Sequence, residues 1–430
     1  MTRDQTCDIL VIGAGPAGST AAALLAQRGH DVLLVEKDRH PRFHIGESLL
    51  PLNTAIFDRL GIRDRVASVG THKPGAEFVA DDTGKEVQFS FANALDKRFP
   101  SSWQVKRADF DQILFETAKS NGARTLEATR ITAMTPGKTR HDVTATDEHG
   151  DMTIRPRLVI DASGRDTFAA GKLGLKQPNK RNNTAAVYAH YTGAEFRTGD
   201  REGYISIHLA QDGWFWLIPL PDGVMSVGFV GNPAAFKARK GTPADLLAAR
   251  IAASPTVSAR MRNATRVSDV TGTGNYSYYA KTNAAEGCLM IGDAFAFLDP
   301  MFSSGVLLAM ASAEKSVAVA EAWLDNPTRG QALAARMERE MRHAMARFGW
   351  LVYRINTPAL RLLFMAPRNT LRMRDGLVSL LAGSPKGTWG QLIPVLAFKS
   401  IYYITATLLR LGIHPPIPAR TPAPELVAAE

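Results

Sequence analysis

The run Cys7-Asp-Ile-Leu-Val-Ile-Gly13-Ala-Gly15-Pro-Ala-Gly18 decides how the first part of the chain folds. Asp8 to Ile12 is a short apolar strand, Gly13 to Gly18 is a turn poor in side chains, and an Ala- and Leu-rich helix follows to Gln27. A second apolar strand, Asp31 to Glu36, completes a βαβ unit. Glycines at 13, 15 and 18 let the backbone approach a pyrophosphate with no Cβ in the way. The amides of the helix N-terminus, around Ala17, face that anion. Glu36 ends the second strand, with Lys37 beside it, where a carboxylate can accept hydrogen bonds from ribose hydroxyls. The unit reads as a dinucleotide site.

Around it lies a chain of 430 residues, 45% hydrophobic, enough for a large core and more than one packed unit. Cys7 and Cys288 are the only cysteines, each inside an apolar run, so they read as small core residues. With a polar start leading straight into the first strand, they predict a reducing, cytoplasmic setting. The net charge of +10 is uneven: residues 329 to 430 hold fourteen Lys or Arg against five Asp or Glu. Such a basic tail suits an acidic protein, an anionic lipid surface or plain solvent. Base-stacking aromatics on a nucleic-acid module are missing from it, so no nucleic-acid partner is expected.

Further along, a strand pair is expected near Ile131 to Asp147 and a strand from Arg157 to Asp161, and alternating runs from Ala185 to Val230 predict an antiparallel sheet. After Gly305 the pattern turns helical, breaks at Asn326-Pro327 and continues to about Gly412. Leu392 to Ile413 is mostly apolar, but Pro394, Lys399 and Arg410 interrupt it. A packed helix is therefore expected rather than a membrane span, with an interfacial anchor as the second reading.

Two later segments point to one long cofactor. Leu158-Val-Ile-Asp161-Ala-Ser-Gly164 puts an acid and a glycine turn at a strand end, and Cys288-Leu-Met-Ile-Gly292-Asp293 puts a second acid at another. Here the sequence resembles the FAD-dependent monooxygenase and halogenase superfamily. The resemblance implies that Asp293 contacts the flavin ribityl chain and that Arg107, in Arg107-Ala-Asp-Phe110-Asp111, lies near the flavin. It also implies an α/β fold, with a Rossmann-like FAD-binding domain of the GR2 type from residues 1–180 and 270–330. Residues 181–269, with part of 70–105, form the antiparallel substrate region, and residues 331–430 a helical basic region.

Within that superfamily, Trp214-Phe-Trp216-Leu-Ile218-Pro219 matches the W-x-W-x-I-P signature of flavin-dependent halogenases. Indoles spaced i, i+2 on a strand share one face, where they can wall the flavin off from an organic substrate. Asp299-Pro-Met-Phe302-Ser303-Ser304-Gly305 is similar to the family's halide turn, whose amides around Ser304 and Gly305 would hold the ion; helix capping by the serines is the plainer alternative. Lys73, in Thr71-His-Lys73-Pro, looks like the lysine that meets hypohalous acid in these enzymes. Arg42-Phe-His-Ile-Gly-Glu47-Ser48 resembles the loop between flavin and substrate, and Glu47 can alternatively cap the next helix. Phe302 stands where halogenases of free tryptophan carry Glu, which implies a more activated ring, a phenol or pyrrole.

The resemblance implies reduced FAD (FADH2) from a separate flavin reductase, oxygen and a halide, chloride or bromide, with hypohalous acid travelling along a tunnel to Lys73. The substrate would be a free aromatic molecule or a ring on an acyl carrier, the latter steered by Arg368, Arg372 and Arg374. Phe295, Phe297 and Trp103 are further candidates for shaping the pocket. An aromatic hydroxylase or prenyl reductase on the same fold, and a non-catalytic flavin-binding docking protein, stay open as alternatives.

Overall fold

The computed structural model describes residues 4–179, 184–210, 212–237, 241–274, 277–299, 301–355, 357–365, 367, 369–383 and 389–413. Strand β1 (Gln5–Ile12), helix α1 (Pro16–Ala26) and β2 (Val32–Val35) form the expected βαβ unit. Beyond helix α2 (Arg107–Ser120) and strand β3 (Gly150–Asp161), the chain completes a mostly parallel sheet. Its central order is Cys288–Met290, β3, β1, β2, Arg124–Leu126, every neighbouring pair parallel. Ile9, Leu10 and Val11 are all buried because both faces of this sheet are covered, which is why β1 reads as a continuous apolar run.

The second sheet runs Thr265–Arg266, β4 (Ala185–Thr192), β7 (Val224–Gly231), β6 (Gly213–Pro219), β5 (Ile205–Leu209), Gly75–Ala80, Glu86–Ser90. It is antiparallel except where β5 lies parallel to Gly75–Ala80. That pair joins strands distant in the chain, which no hairpin constrains to run in opposite directions. Thr271–Gly274 also pairs with β4, so the sheet reaches past residue 269. Along β6 the period of two is strict. Trp214, Trp216 and Ile218 enter one core, while Phe215 and Leu217 enter another with Leu247 and Val257.

The C-terminal helices are α3 (Ser304–Asp325), α4 (Pro327–Val352), α5 (Pro358–Phe364), α6 (Met373–Leu381) and α7 (Trp389–Arg410). Helix α3 packs on α1, and α4 folds back on α3 after Asn326, whose side chain accepts from the amides of Thr328 and Arg329 and so caps α4. Helix α4 runs unbroken across residue 330. Its first half joins the core of the parallel sheet through Ala334 and Met337, and its end, with α5 to α7, joins the core under Trp214 and Trp216. The basic helices therefore cover the inner face of the second sheet. Helix α7 continues through Pro394 and buries Phe398 and Tyr402. The expectation of a packed helix holds for that face only, because Ile393, Leu396, Tyr403 and Ile404 are exposed. Leu392–Arg410 is long and apolar enough to cross a membrane by length and composition.

Candidate active site

A cavity of about 910 Å³ runs from the Gly13 turn to the tryptophans of β6. At its first end the three glycines have separate duties. A Cβ on Gly13, whose φ is +94°, would meet the Ala162 carbonyl oxygen at 2.6 Å, and one on Gly18 would meet the Gly13 oxygen at 1.8 Å, so both serve packing. A Cβ on Gly15 would come no nearer than 3.8 Å, to Arg42, and Gly15 lines the cavity. Only at Gly15 does the missing side chain leave room for a ligand. Ala17 also lines the cavity, and its methyl is what a Cβ on Gly292 would strike, at 2.9 Å.

Glu36 is buried and braces this turn: Oε2 accepts from the Ala14 amide at 2.7 Å and from Arg42 at 3.2 Å, and Oε1 from the Asp38 amide at 3.1 Å. Burial pushes its carboxyl up, but Arg42 and the two amides outweigh that and hold it below the usual carboxylate range. Lys37 reaches the rim and pairs with Asp166 at 2.5 Å. Asp161 does not line the cavity. Its two oxygens accept from the amides of Ser163 and Ala169, at 2.9 and 2.7 Å, so it shapes the 163–169 turn from behind rather than facing the cofactor space.

In the middle of the cavity, Arg107 is buried, chelates Asp111 through Nε at 2.7 Å and Nη2 at 2.9 Å, and donates through Nη1 to the Ile45 carbonyl at 2.6 Å. It thereby fastens loop 42–48 across the cofactor space. Asp293 faces the same space, its carboxyl pushed up to about 6 by burial although Arg107 and Arg165 pull it down. Glu47 is buried in the loop, and its Oε1 meets His190 Nε2 of β4 at 2.7 Å, so it is a tether between loop and sheet rather than a helix cap.

At the far end Trp214 and Trp216 line the cavity, their ring centroids 6.0 Å apart. Trp216 lies over Gly228 of the neighbouring strand, where a Cβ would fall 2.1 Å from the indole, and its Nε1 donates to Ser226 at 3.2 Å. Pro219 ends β6 outside the cavity lining. Phe302 is also outside it, buried with its ring 6.5 Å from Phe78. The start of α3 contributes Ser303 and Gly305 to the lining. Ser304 is buried behind them, and Ser303 adopts the left-handed conformation at the N-cap without a side-chain cap bond, so capping by that serine is not what the turn is built for. Of Phe295, Phe297 and Trp103, Phe297 lines the cavity, while Phe295 and Trp103 pack elsewhere.

Lys73 is the departure. It is 1% exposed, donates to the Leu49 carbonyl at 2.8 Å, lies 5.3 Å from the Phe91 ring centre and does not line the cavity. It lies beside Phe91, which belongs to the core that Leu50, Phe78 and Phe89 form with α5 and α6. Burial lowers the Lys73 ammonium to about 7.

The cavity fits an extended flavin dinucleotide: a bare backbone approach at Gly15 by a helix N-terminus, a carboxylate at Glu36, a second at Asp293, and an aromatic end wall. The family model described as "FAD binding domain" matches residues 6–345. A 1H-pyrrole-2-carbonyl peptidyl-carrier-protein brominase of Pseudoalteromonas luteoviolacea is 32% identical over 324 residues, 72% of this chain and 76% of that protein. The chain belongs to the flavin-dependent halogenases of the FAD-binding family. A tryptophan 2-halogenase of Chondromyces crocatus is 36% identical over 323 residues, 73% of this chain and 60% of its own length. The chain thus spans under two thirds of that relative. Among solved structures, a flavoprotein/dehydrogenase of Cytophaga hutchinsonii superposes with a TM-score of 0.83 at 29% identity, over 95% of this chain and all of the other.

Arg42 and Met301 belong to the loop and the turn already quoted, while His190 and Gly228 complete this halogenase-family site without a motif of their own. Arg42 stands between Glu36 and Asp111, at 3.2 Å from each. His190 meets Glu47 of a loop 143 residues earlier, and Gly228 lies opposite Trp216 in the register of the β6–β7 hairpin.

Proposed function

We propose that the protein halogenates an electron-rich aromatic ring with bound reduced FAD, oxygen and a halide ion. The observation that supports this most directly is the separation of two compartments, a cofactor cavity ended by Trp214 and Trp216 and a buried Lys73 outside it. An organic ring that never touches the flavin needs a small diffusing oxidant. When bound, reduced flavin would supply two electrons and two protons to oxygen, which with a halide and one further proton gives hypohalous acid and water.

The chain's own residues divide the remaining work. Gly15 and the N-terminus of α1 receive the pyrophosphate, Glu36 the ribose, and Asp293 and Arg107 stand beside the middle of the cofactor. The first-turn amides of α3, around Ser304 and Gly305, hold the halide. The indoles of β6 keep the ring from the flavin and so suppress hydroxylation. Lys73 exchanges its bond to the Leu49 carbonyl for one to hypohalous acid, orienting its halogen toward the ring. Phe302 supplies no carboxylate to take the ring proton, which favours a phenol or pyrrole whose own electrons stabilise the cationic intermediate.

A separate flavin reductase supplies the reduced cofactor, and the setting is cytoplasmic. The ring arrives free or on an acidic carrier drawn by the basic helices. Of the arginines suggested for that contact, Arg372 pairs with the neighbouring Asp375, Arg374 donates to the Gln88 carbonyl, and Arg368 lies outside the described residues. The test combines reductase, NADH, FAD, oxygen and bromide or chloride with phenol, pyrrole and indole panels, read by mass spectrometry. A halogenated phenol or pyrrole is expected. Hydroxylated product, or flavin oxidation that consumes no halide, would overturn the reading.

A further inference from the structure

Helix α7 presents two apolar faces, and the fold uses one. Its inner face packs on α5 and α6, with Pro394 against Gly376, and buries Phe398 and Tyr402. On the outer face Ile393, Leu396, Tyr403 and Ile404 are half or more exposed, and Leu411 continues the line past the helix end. These positions are 3, 7, 1 and 7 residues apart, which at about 100° per residue puts them on one side of the helix over about 27 Å, with Ser400 and Thr407 between them. Isolated exposed apolar side chains are ordinary, but five large ones aligned on one side of a helix mark a contact surface.

The rim of this face identifies what it contacts. Arg354 lies 5.0 Å from the Trp350 ring centre and 5.8 Å from that of Tyr403, Lys399 lies 5.1 Å from Trp350, and Arg410 is exposed at the helix end. The Tyr403 hydroxyl accepts from Trp350 Nε1 at 3.2 Å and from Arg354 at 3.3 Å. No Asp or Glu occurs between Asp375 and Glu425. Aliphatic side chains bordered by an exposed Tyr with cations among them are the composition of a helix at a membrane–water interface, where such a ring sits among headgroups and the cations meet lipid phosphates.

We propose that the outer face of α7 seats the protein on an anionic phospholipid surface, lying in the plane of the headgroups. Crossing the bilayer would pull Phe398 and Tyr402 out of the core they share with Trp350 and Phe364, so the helix rests on the membrane instead. A second copy of the chain would bring the same cations face to face. An acidic protein would satisfy the rim but offers no reason for large apolar side chains aligned along the helix.

The test is flotation of the full-length, FAD-loaded protein with phosphatidylcholine vesicles, with and without phosphatidylglycerol. The protein floats with the anionic vesicles, and raising salt from about 0.05 M to about 0.5 M weakens binding. The triple variant Leu396→Ser, Ile404→Ser, Leu411→Ser, whose changes touch only exposed positions, retains FAD affinity and circular dichroism but binds these vesicles on the order of tenfold less. Lys399→Gln with Arg410→Gln reduces binding severalfold. The proposal is overturned if the wild type floats with neither vesicle or if the triple variant floats equally well. It is also overturned if light scattering shows a dimer that the triple variant converts to monomer without any vesicle binding, or if only an acidic carrier protein is bound through this face.

Discussion

The cofactor cavity is lined by side chains already locked by hydrogen bonds, whereas Lys73 is buried outside it, with the Leu49 carbonyl and the Phe91 ring beside it among the described residues. Arg42, Glu36, Asp111 and Arg107 form a chain of bonds between 2.7 and 3.2 Å that holds its shape before any ligand arrives. Beyond that cavity, Lys73 donates one bond of 2.8 Å to the Leu49 carbonyl and lies beside the Phe91 ring. The first region stores binding energy as preorganised geometry. The second carries the cost of a buried ammonium, and the proposed mechanism requires a ring to reach it.

The sharpest way to break this contrast is Gly15→Val. The protein has room for the side chain, so folding stability should hardly move, while FAD affinity should fall on the order of 1000-fold because the branch occupies the pyrophosphate approach. Titration with FAD beside a thermal melt separates the two effects. Equal loss of stability and affinity would mean that the turn is structural throughout and that Gly15 is no different from Gly13 and Gly18.

Lys73→Met addresses the other region. Burial takes the lysine from 10.5 to about 7, so between those values the unfolded chain binds a proton that the folded chain does not, and stability rises with pH across that window. The full penalty stands below about pH 7. The variant should therefore be more stable than wild type in mild acid, on the order of 3 kcal/mol, with the gain shrinking toward pH 10. Chemical denaturation across that range measures it. A constant difference would show that burial is not what sets the ammonium's state.

The smallest effect is expected where the two regions meet. Gly228→Ala pushes a methyl into the Trp216 ring, which has to turn from the wall, costing about 2 kcal/mol and altering near-ultraviolet dichroism. Unchanged spectra and stability would mean that the indole is not fixed by its neighbouring strand.

The same contrast explains what the sequence revealed. The Gly13–Gly18 turn, Glu36 and Asp293 lie at strand ends, where local pattern and position in the sheet coincide, and the two indoles of β6 share a face because a strand has period two. Asp161 had the same pattern but spends both oxygens on its own turn, a choice set by where residues 163–169 fold back. Burial of Lys73 has no local signal, since the Phe91 ring beside it belongs to a core that α5 and α6 complete, nearly 300 residues away in the chain. Likewise α7 read as a packed helix because apolar composition does not say which of two apolar faces the fold will use.

The central claim, that oxidant is made in one region and used in the other, is tested most directly by Lys73→Ala supplied with reductase, NADH, FAD, oxygen and bromide. The variant should bind FAD and oxidise the reduced flavin at the wild-type rate while yielding no brominated ring by mass spectrometry. Brominated product at near the wild-type rate would contradict the claim.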